Sequence, residues 1–216
     1  MSDGMGRELA YLSSHATNRY FIPNWGKVMA NTCSTEYIFE GEGTLIRALH
    51  SLLEKIAKDK PKCTNYHDWH IQPNWLGYIA EKVLDLDPDK ISSRGEFNLC
   101  DINICPYDDN WLTFEVSAYT AWSPCNELFE KLAEKYDCNL YWIAEELGCG
   151  LFQSNDSCEK YFHDTIIVDT PEHGSQYFPN QEEALKAIQE EVGNDKLTWE
   201  QAEDLDDFYI YEVDYV

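Results

Sequence analysis

The stretch WLTFEVSAYTAWSPCNELFEKLAEKYDCNLYWIA, residues 111–144, decides the fold. Trp111 to Tyr119 is rich in aromatic and β-branched residues, which suits a pleated strand with a buried face. Ser123-Pro124 follows, an N-cap residue with proline at the first helical position, where the missing N–H is not needed. Leu128, Phe129, Leu132, Ala133 and Tyr136 then fall on one side of a 3.6-residue period, an apolar stripe that must be covered. Asn139 to Ala144 reverts to strand composition. The stretch is thus one β-α-β half, whose helix carries the chain across a sheet.

Working upstream, Glu96–Ile104 reads as a strand, joined to Trp111–Tyr119 by Pro106-Tyr107-Asp108-Asp109-Asn110, a turn composition, so the two form a hairpin. Before it, Thr35–Phe39 is a strand ending at Gly41. Thr44 is placed to cap a helix whose Leu45, Ile46, Leu49, Leu52, Leu53 and Ile56 recur at helical spacing. A shorter helix is expected over Trp75–Leu84. The order β-α-(α)-β-β-α-β predicts an α+β fold, a ferredoxin-like split β-α-β sandwich with an antiparallel sheet and helices on one face.

Downstream, Tyr161–Asp169 reads as a strand. Asn180 with Glu183, and Thr198 with Gln201, are capping signatures for two helices, Gly193 closes the first, and Phe208–Tyr215 is a last strand. The chain divides into a leader or flexible arm at 1–28, a ferredoxin-like core at 29–150, and an acidic β-α-α-β extension at 151–216 packed on the same domain. Met29 is a candidate second start, which places residues 1–28 upstream of the true one; the rival reading is an arm packed by Tyr20, Phe21 and Trp25.

The 216 residues carry 16 Lys+Arg against 40 Asp+Glu, a formal charge of −24. Residues 1–62 hold 8 basic and 7 acidic residues, so the excess belongs wholly to 63–216. Such a surface repels phosphate, which argues against direct nucleic-acid binding. Hydrophobic residues at 44% and aromatics at 14% exclude a disordered acidic tail. No run of about 18 apolar residues is present to span a membrane. The N-terminus lacks the apolar stretch of a signal peptide, so the eight cysteines are expected to be reduced and the protein cytoplasmic.

The strand Trp111-Leu112-Thr113-Phe114-Glu115, the turn Thr120-Ala121-Trp122-Ser123-Pro124, the segment Ala144-Glu145-Glu146-Leu147-Gly148 and the opening Met29-Ala30-Asn31-Thr32-Cys33-Ser34 together resemble the YubB-type ferredoxin-like-domain proteins of bacteria. The likeness covers about residues 29–170. Ala30 and Thr32 stand where that family usually has Pro and Trp, and Cys125 where a second Pro is common. The resemblance implies a ferredoxin-like fold without iron–sulfur chemistry, on plasmids, phages and integrated elements. It implies no reaction.

Four constellations bear on function. Cys63, His67 and His70 offer soft and borderline metal ligands in one loop, but without a second pair they match no structural zinc spacing. Glu115 and Glu145 fall on strands expected to be close in the sheet and His163 on the neighbouring one, the raw material of a metal-dependent enzyme, although alternation sends Glu145 and Glu146 to opposite faces. Trp111, Tyr119, Trp122, Tyr141 and Trp142 suggest a stacking surface, yet in acidic surroundings they are expected to cover core or tail. The densest feature is residues 181–216, with 12 acids and 2 lysines. There Glu200, Glu203, Asp204, Asp206 and Asp207 can imitate a phosphate track.

The leading expectation is a non-enzymatic accessory protein of a mobile element, an acidic DNA mimic that engages a basic nucleic-acid-handling protein, with no cofactor. A metal-dependent enzyme or metal-binding protein is the alternative, and a structural or homo-oligomeric module the third.

Overall fold

The computed structural model describes residues 31–59, 74–108 and 110–216. The chain runs β1 (Thr32–Glu42), α1 (Gly43–Asp59), α2 (Leu76–Tyr78, continued by a π-helical turn Ile79–Val83), β2 (Gly95–Leu99), β3 (Asn103–Ile104), β4 (Trp111–Ala121), α3 (Asn126–Lys135) and β5 (Asn139–Glu146). It continues with β6 (Leu151–Ser154), β7 (Ile166–Thr170), β8 (Gly174–Phe178), α4 (Gln181–Val192), α5 (Trp199–Glu203), β9 (Tyr209–Glu212) and β10 (Asp214–Tyr215).

The strand order β5-β1-β4-β2, antiparallel throughout, is the ferredoxin-like arrangement. Alternation gives this sheet two unlike faces. Tyr37, Phe39, Phe114, Val116, Ala118, Trp142 and Ala144 point to one side, where they meet Ile46, Leu49 and Leu53 of α1 and Leu128, Phe129 and Leu132 of α3 in one buried core. Tyr37 stacks on Phe129 with ring centroids 3.9 Å apart, and Phe39 on Phe114 at 5.0 Å. The α+β ferredoxin-like reading is what the chain builds.

Two sheet additions extend it. β6 pairs antiparallel with β5, and β10 parallel with β6, so the last strand returns to the main sheet. A separate three-stranded sheet, β8-β7-β9, packs Ile166 and Val168 against Ala184, Ile188, Leu197 and Ala202 of the α4–α5 region in a second core. On its other face, Ile167 is fully buried between its cross-strand partners Tyr177 and Tyr211. Those tyrosines reach the main sheet, Tyr177 donating to Glu145 Oε2 (2.8 Å) and Tyr211 to the Leu147 carbonyl (3.1 Å).

Several local expectations are corrected. Helix α3 begins at Asn126 and not at Pro124, with Cys125 at the N-cap. Trp122 takes φ 73° and the Thr120 hydroxyl donates to the Ser123 carbonyl at 2.7 Å, so residues 120–124 form a bend before the helix. Helix α1 starts at Gly43; the Leu45 N–H is capped by Glu42 Oε2 at 3.3 Å and not by Thr44. The strand expected from Tyr161 begins at Ile166, because the Tyr161 and Phe162 N–H groups are bound to the Asp156 carboxylate at 2.7 and 3.1 Å. Strand β8 carries no apolar run and was not expected; the Phe208–Tyr215 strand splits at Val213, whose N–H donates to Thr165. Both downstream caps form as read, Asn180 accepting from Glu183 N–H and Thr198 closing a full capping box with Gln201.

Candidate functional site

The acidic track is built by α5 and the turn after it. Trp199, Ala202, Leu205 and Phe208, three residues apart, face the second core. This leaves Glu200, Glu203, Asp204, Asp206 and Asp207 on the outside, all exposed. Glu200, Glu203 and Asp204 stand at i, i+3 and i+4, neighbours with Cβ atoms about 5–6 Å apart. The capping box pins the start of the helix, and its own backbone N–H with the Thr198 hydroxyl holds Glu200 below the ordinary carboxylate range. Among the described residues none of the five has a Lys, Arg or His within 4.0 Å. Exposed Tyr209 continues the same surface. The result is a row of exposed carboxylates, on a capped helix and the turn after it, without a cationic partner among the described residues.

On the open face of the main sheet the structure assembles a cluster that no motif announced. Glu40, on the outward side of β1, is nevertheless buried because the 155–162 loop lies across it. Asn155 steers that loop by accepting from Trp142 N–H (2.7 Å) and donating to the Leu140 carbonyl (2.9 Å), in continuation of the β5 edge. Lys160 Nζ then meets Glu40 Oε2 at 2.5 Å, within 5.0–5.3 Å of the ring centres of Tyr107, Tyr141 and Tyr161. The Tyr161 hydroxyl also donates to Glu40, and Asn139 Nδ2 donates to its other oxygen at 3.2 Å.

Burial pushes the Glu40 carboxyl up, but bonds from Lys160, Tyr161 and Asn139 outweigh it and hold it below its ordinary value. Burial would lower Lys160, and its bonds to Glu40 and Tyr141 reverse this. Burial and the neighbouring Glu40 raise Tyr161. Every proton is held where it starts: the ammonium and phenol stay protonated and the carboxylate charged. This is the electrostatics of a latch, unlike that of a general base or a nucleophilic lysine.

The residues of the enzyme alternative are not brought together. Glu115 lies opposite Ile38 and Glu145 opposite Ser34, so their backbones are two strand spacings and four residues apart, about 16 Å. Glu115 accepts from Ser117 Oγ at 3.5 Å, Glu145 is engaged by Tyr177, and His163 is exposed in the loop before β7. Glu146 points to the helix-covered face as alternation requires, buried, with Oε2 unpartnered among the described residues. Of the suggested stacking surface, Trp142 belongs to the core, Tyr141 to the lysine cluster, and only Trp122 is largely exposed. Cys63, His67 and His70, like Met29 and the 1–28 arm, lie outside the described residues. All seven described cysteines are free. Glu172, His173 and Glu191 are the one group of described residues whose side chains converge closely enough to hold a metal ion.

Fold and site together define a ferredoxin-like α+β protein with an appended acidic sheet-and-helix layer. The family model described as the ferredoxin-like domain in Api92-like protein matches residues 101–189, a stretch from just before β3 into α4 that includes strands of both sheets. That likeness is to a ferredoxin-like family of unknown function. No curated protein and no solved structure matches the chain. No helix of the described residues is long and apolar enough to cross a membrane.

Sequence reading located the acidic track, since charge density is visible residue by residue. It missed Glu40 with Lys160, whose pairing has no local pattern. The one available signal was parity: Glu40 shares the outward side of β1 with Ser34, Glu36 and Ile38, so only an added layer could bury it.

Proposed function

We propose that this protein acts by binding another macromolecule, and that Glu200, Glu203, Asp204, Asp206 and Asp207 form the contact surface for a basic, nucleic-acid-handling protein. The observation that carries the reading is the row of exposed carboxylates on a capped helix and the turn after it, without cationic partners among the described residues. Duplex DNA presents one negative charge per about 3.4 Å of axis along each strand, and fixed carboxylates several ångström apart offer a basic groove a comparable field. Because the support is already folded, binding needs little ordering of the acidic face. The resemblance to proteins of plasmids, phages and integrated elements makes a defence nuclease, restriction subunit or recombinase the fitting partner class, with the protein as a DNA-mimic inhibitor in the bacterial cytoplasm.

The test is affinity capture from a nuclease-treated bacterial lysate with the native chain and with a variant carrying Lys at all five positions. Native bait should retain a basic DNA-binding protein that added duplex DNA displaces and whose retention weakens with salt. Equal retention by the charge-reversed bait, or retention indifferent to DNA, overturns the assignment.

A further inference from the structure

We propose that Glu172, His173 and Glu191 form a binding site for a divalent transition cation of the zinc class, independent of the acidic contact surface. Glu172 and His173 lie in the turn between β7 and β8, and Glu191 in the last turn of α4. One ligand atom from each lies within 4.8 Å of the other two, and His173 Nδ1 stands 3.1 Å from Glu191 Oε1. The turn that carries two of the ligands is locally defined. The His173 N–H donates to the Thr170 hydroxyl at 3.2 Å, and Gly174 takes φ 67°, a left-handed conformation that glycine adopts without strain.

Zinc binds imidazole nitrogen at about 2.0–2.1 Å and carboxylate oxygen at about 2.0–2.2 Å, so ligands on one tetrahedral ion sit about 3.3 Å apart. The His173–Glu191 pair already meets that spacing, and exposed Glu172 has a ligand atom within 4.8 Å of both. Two carboxylates and a neutral imidazole match a dication in charge. Neither glutamate has a Lys or Arg within 4.0 Å among the described residues. Helix α4 contributes too: its last turn carries no basic residue, and the negative end of its dipole lies beside Glu191. The imidazole selects zinc, cobalt or nickel over magnesium and calcium, which prefer all-oxygen sites. Three ligands leave one position for water or a fourth ligand. A bound ion clips the β7–β8 turn to α4.

The test uses the full chain, stripped with chelator and kept reduced, in a Cys63→Ser/His67→Ala/His70→Ala background that removes the other candidate loop. Zn2+ is titrated against a chromophoric chelator, and Co2+ binding is followed by absorption. One equivalent should bind, with d–d bands and without thiolate-to-cobalt charge transfer in the near ultraviolet. His173→Ala and Glu191→Gln should each weaken it at least tenfold with unchanged far-UV circular dichroism, and Mg2+ should not compete. Titrations of His173→Ala that superimpose on the parent, or a cobalt spectrum wholly of thiolate character, overturn the proposal.

Discussion

Lys160 Nζ and Glu40 Oε2, 120 residues apart in sequence, stand 2.5 Å from each other beneath three tyrosine rings. The pair joins the first strand of the main sheet to the loop that leads into the second. Truncating one member strands the other: Glu40→Ala should destabilise the fold by about 2–3 kcal/mol, below the full cost of a broken buried pair because Lys160 keeps some access to water. Replacing both, as Glu40→Leu with Lys160→Met, should cost much less than the two single changes summed. Urea denaturation of the four proteins checks this, and additive costs would mean the pair is not coupled.

The same carboxyl sets an acid limit. Glu40 has a folded pKa below its unfolded one, so its contribution is complete above the ordinary carboxylate range and is lost as pH falls through the lowered value. Glu145 acts in the opposite sense. Burial raises it more than the Tyr177 hydroxyl lowers it, so its contribution is complete below the ordinary range and is lost as pH rises through the raised value. Glu145→Gln keeps the acceptor for Tyr177 and removes the charge. It should stabilise the protein at neutral pH and leave it unchanged at acid pH, as read by thermal midpoints across pH 3–8.

Gly95 opens β2 opposite Thr120, and a Cβ built there would lie 2.3 Å from the Tyr119 carbonyl oxygen and 2.9 Å from the Thr120 Cα. Both are backbone atoms of a central strand and cannot step aside. Gly95→Ala should separate β2 from β4, with fast amide exchange at Cys100 and Ala121, whose N–H groups donate across the pair to Glu115 and Arg94, while β1 and β5 stay protected.

Ile188 is the buried anchor of α4 in the second core. Ile188→Ala should cost about 2–4 kcal/mol. The loss should concentrate in β7–β9, α4 and α5, leaving amides of β1 and β4 protected in hydrogen exchange. Because α5 and the turn after it carry the acidic track, the variant should also bind the proposed basic partner more weakly without any change of charge.

Charge reversal across Glu200, Glu203, Asp204, Asp206 and Asp207 relieves repulsion in a chain of formal charge −24. The thermal midpoint should rise at low ionic strength, with the gain shrinking as salt screens it. A fall in midpoint would mean that these carboxylates hold the fold.

How much of this was legible depends on the range of each interaction. The capping box at Thr198 and Gln201 was readable because both partners lie within one helical turn. The start of α3 was misread because the Thr120–Ser123 bond and the positive φ of Trp122 compete with the local preference of Ser-Pro. Strand β8 was missed because Gly174-Ser175-Gln176-Tyr177-Phe178 alternates without a strong apolar side, its place secured by pairing with β7. The Glu115, Glu145 and His163 reading placed the two glutamates on the open side of the sheet but could not see the register that holds them apart, and His163 lies in a loop and not on a neighbouring strand.

By itself the sequence determined the ferredoxin-like order, most of the helix limits and the position of the acidic track, because periodicity, caps and charge density are properties of neighbouring residues. The tertiary structure alone decided that Glu40 is buried against Lys160, that Tyr177 and Tyr211 dock the second sheet on the first, and that His173 meets Glu191. Each of these joins separate elements through the path of a loop or the register of a strand. Such contacts leave no period in the chain, because the core that brings them together is satisfied by apolar residues elsewhere.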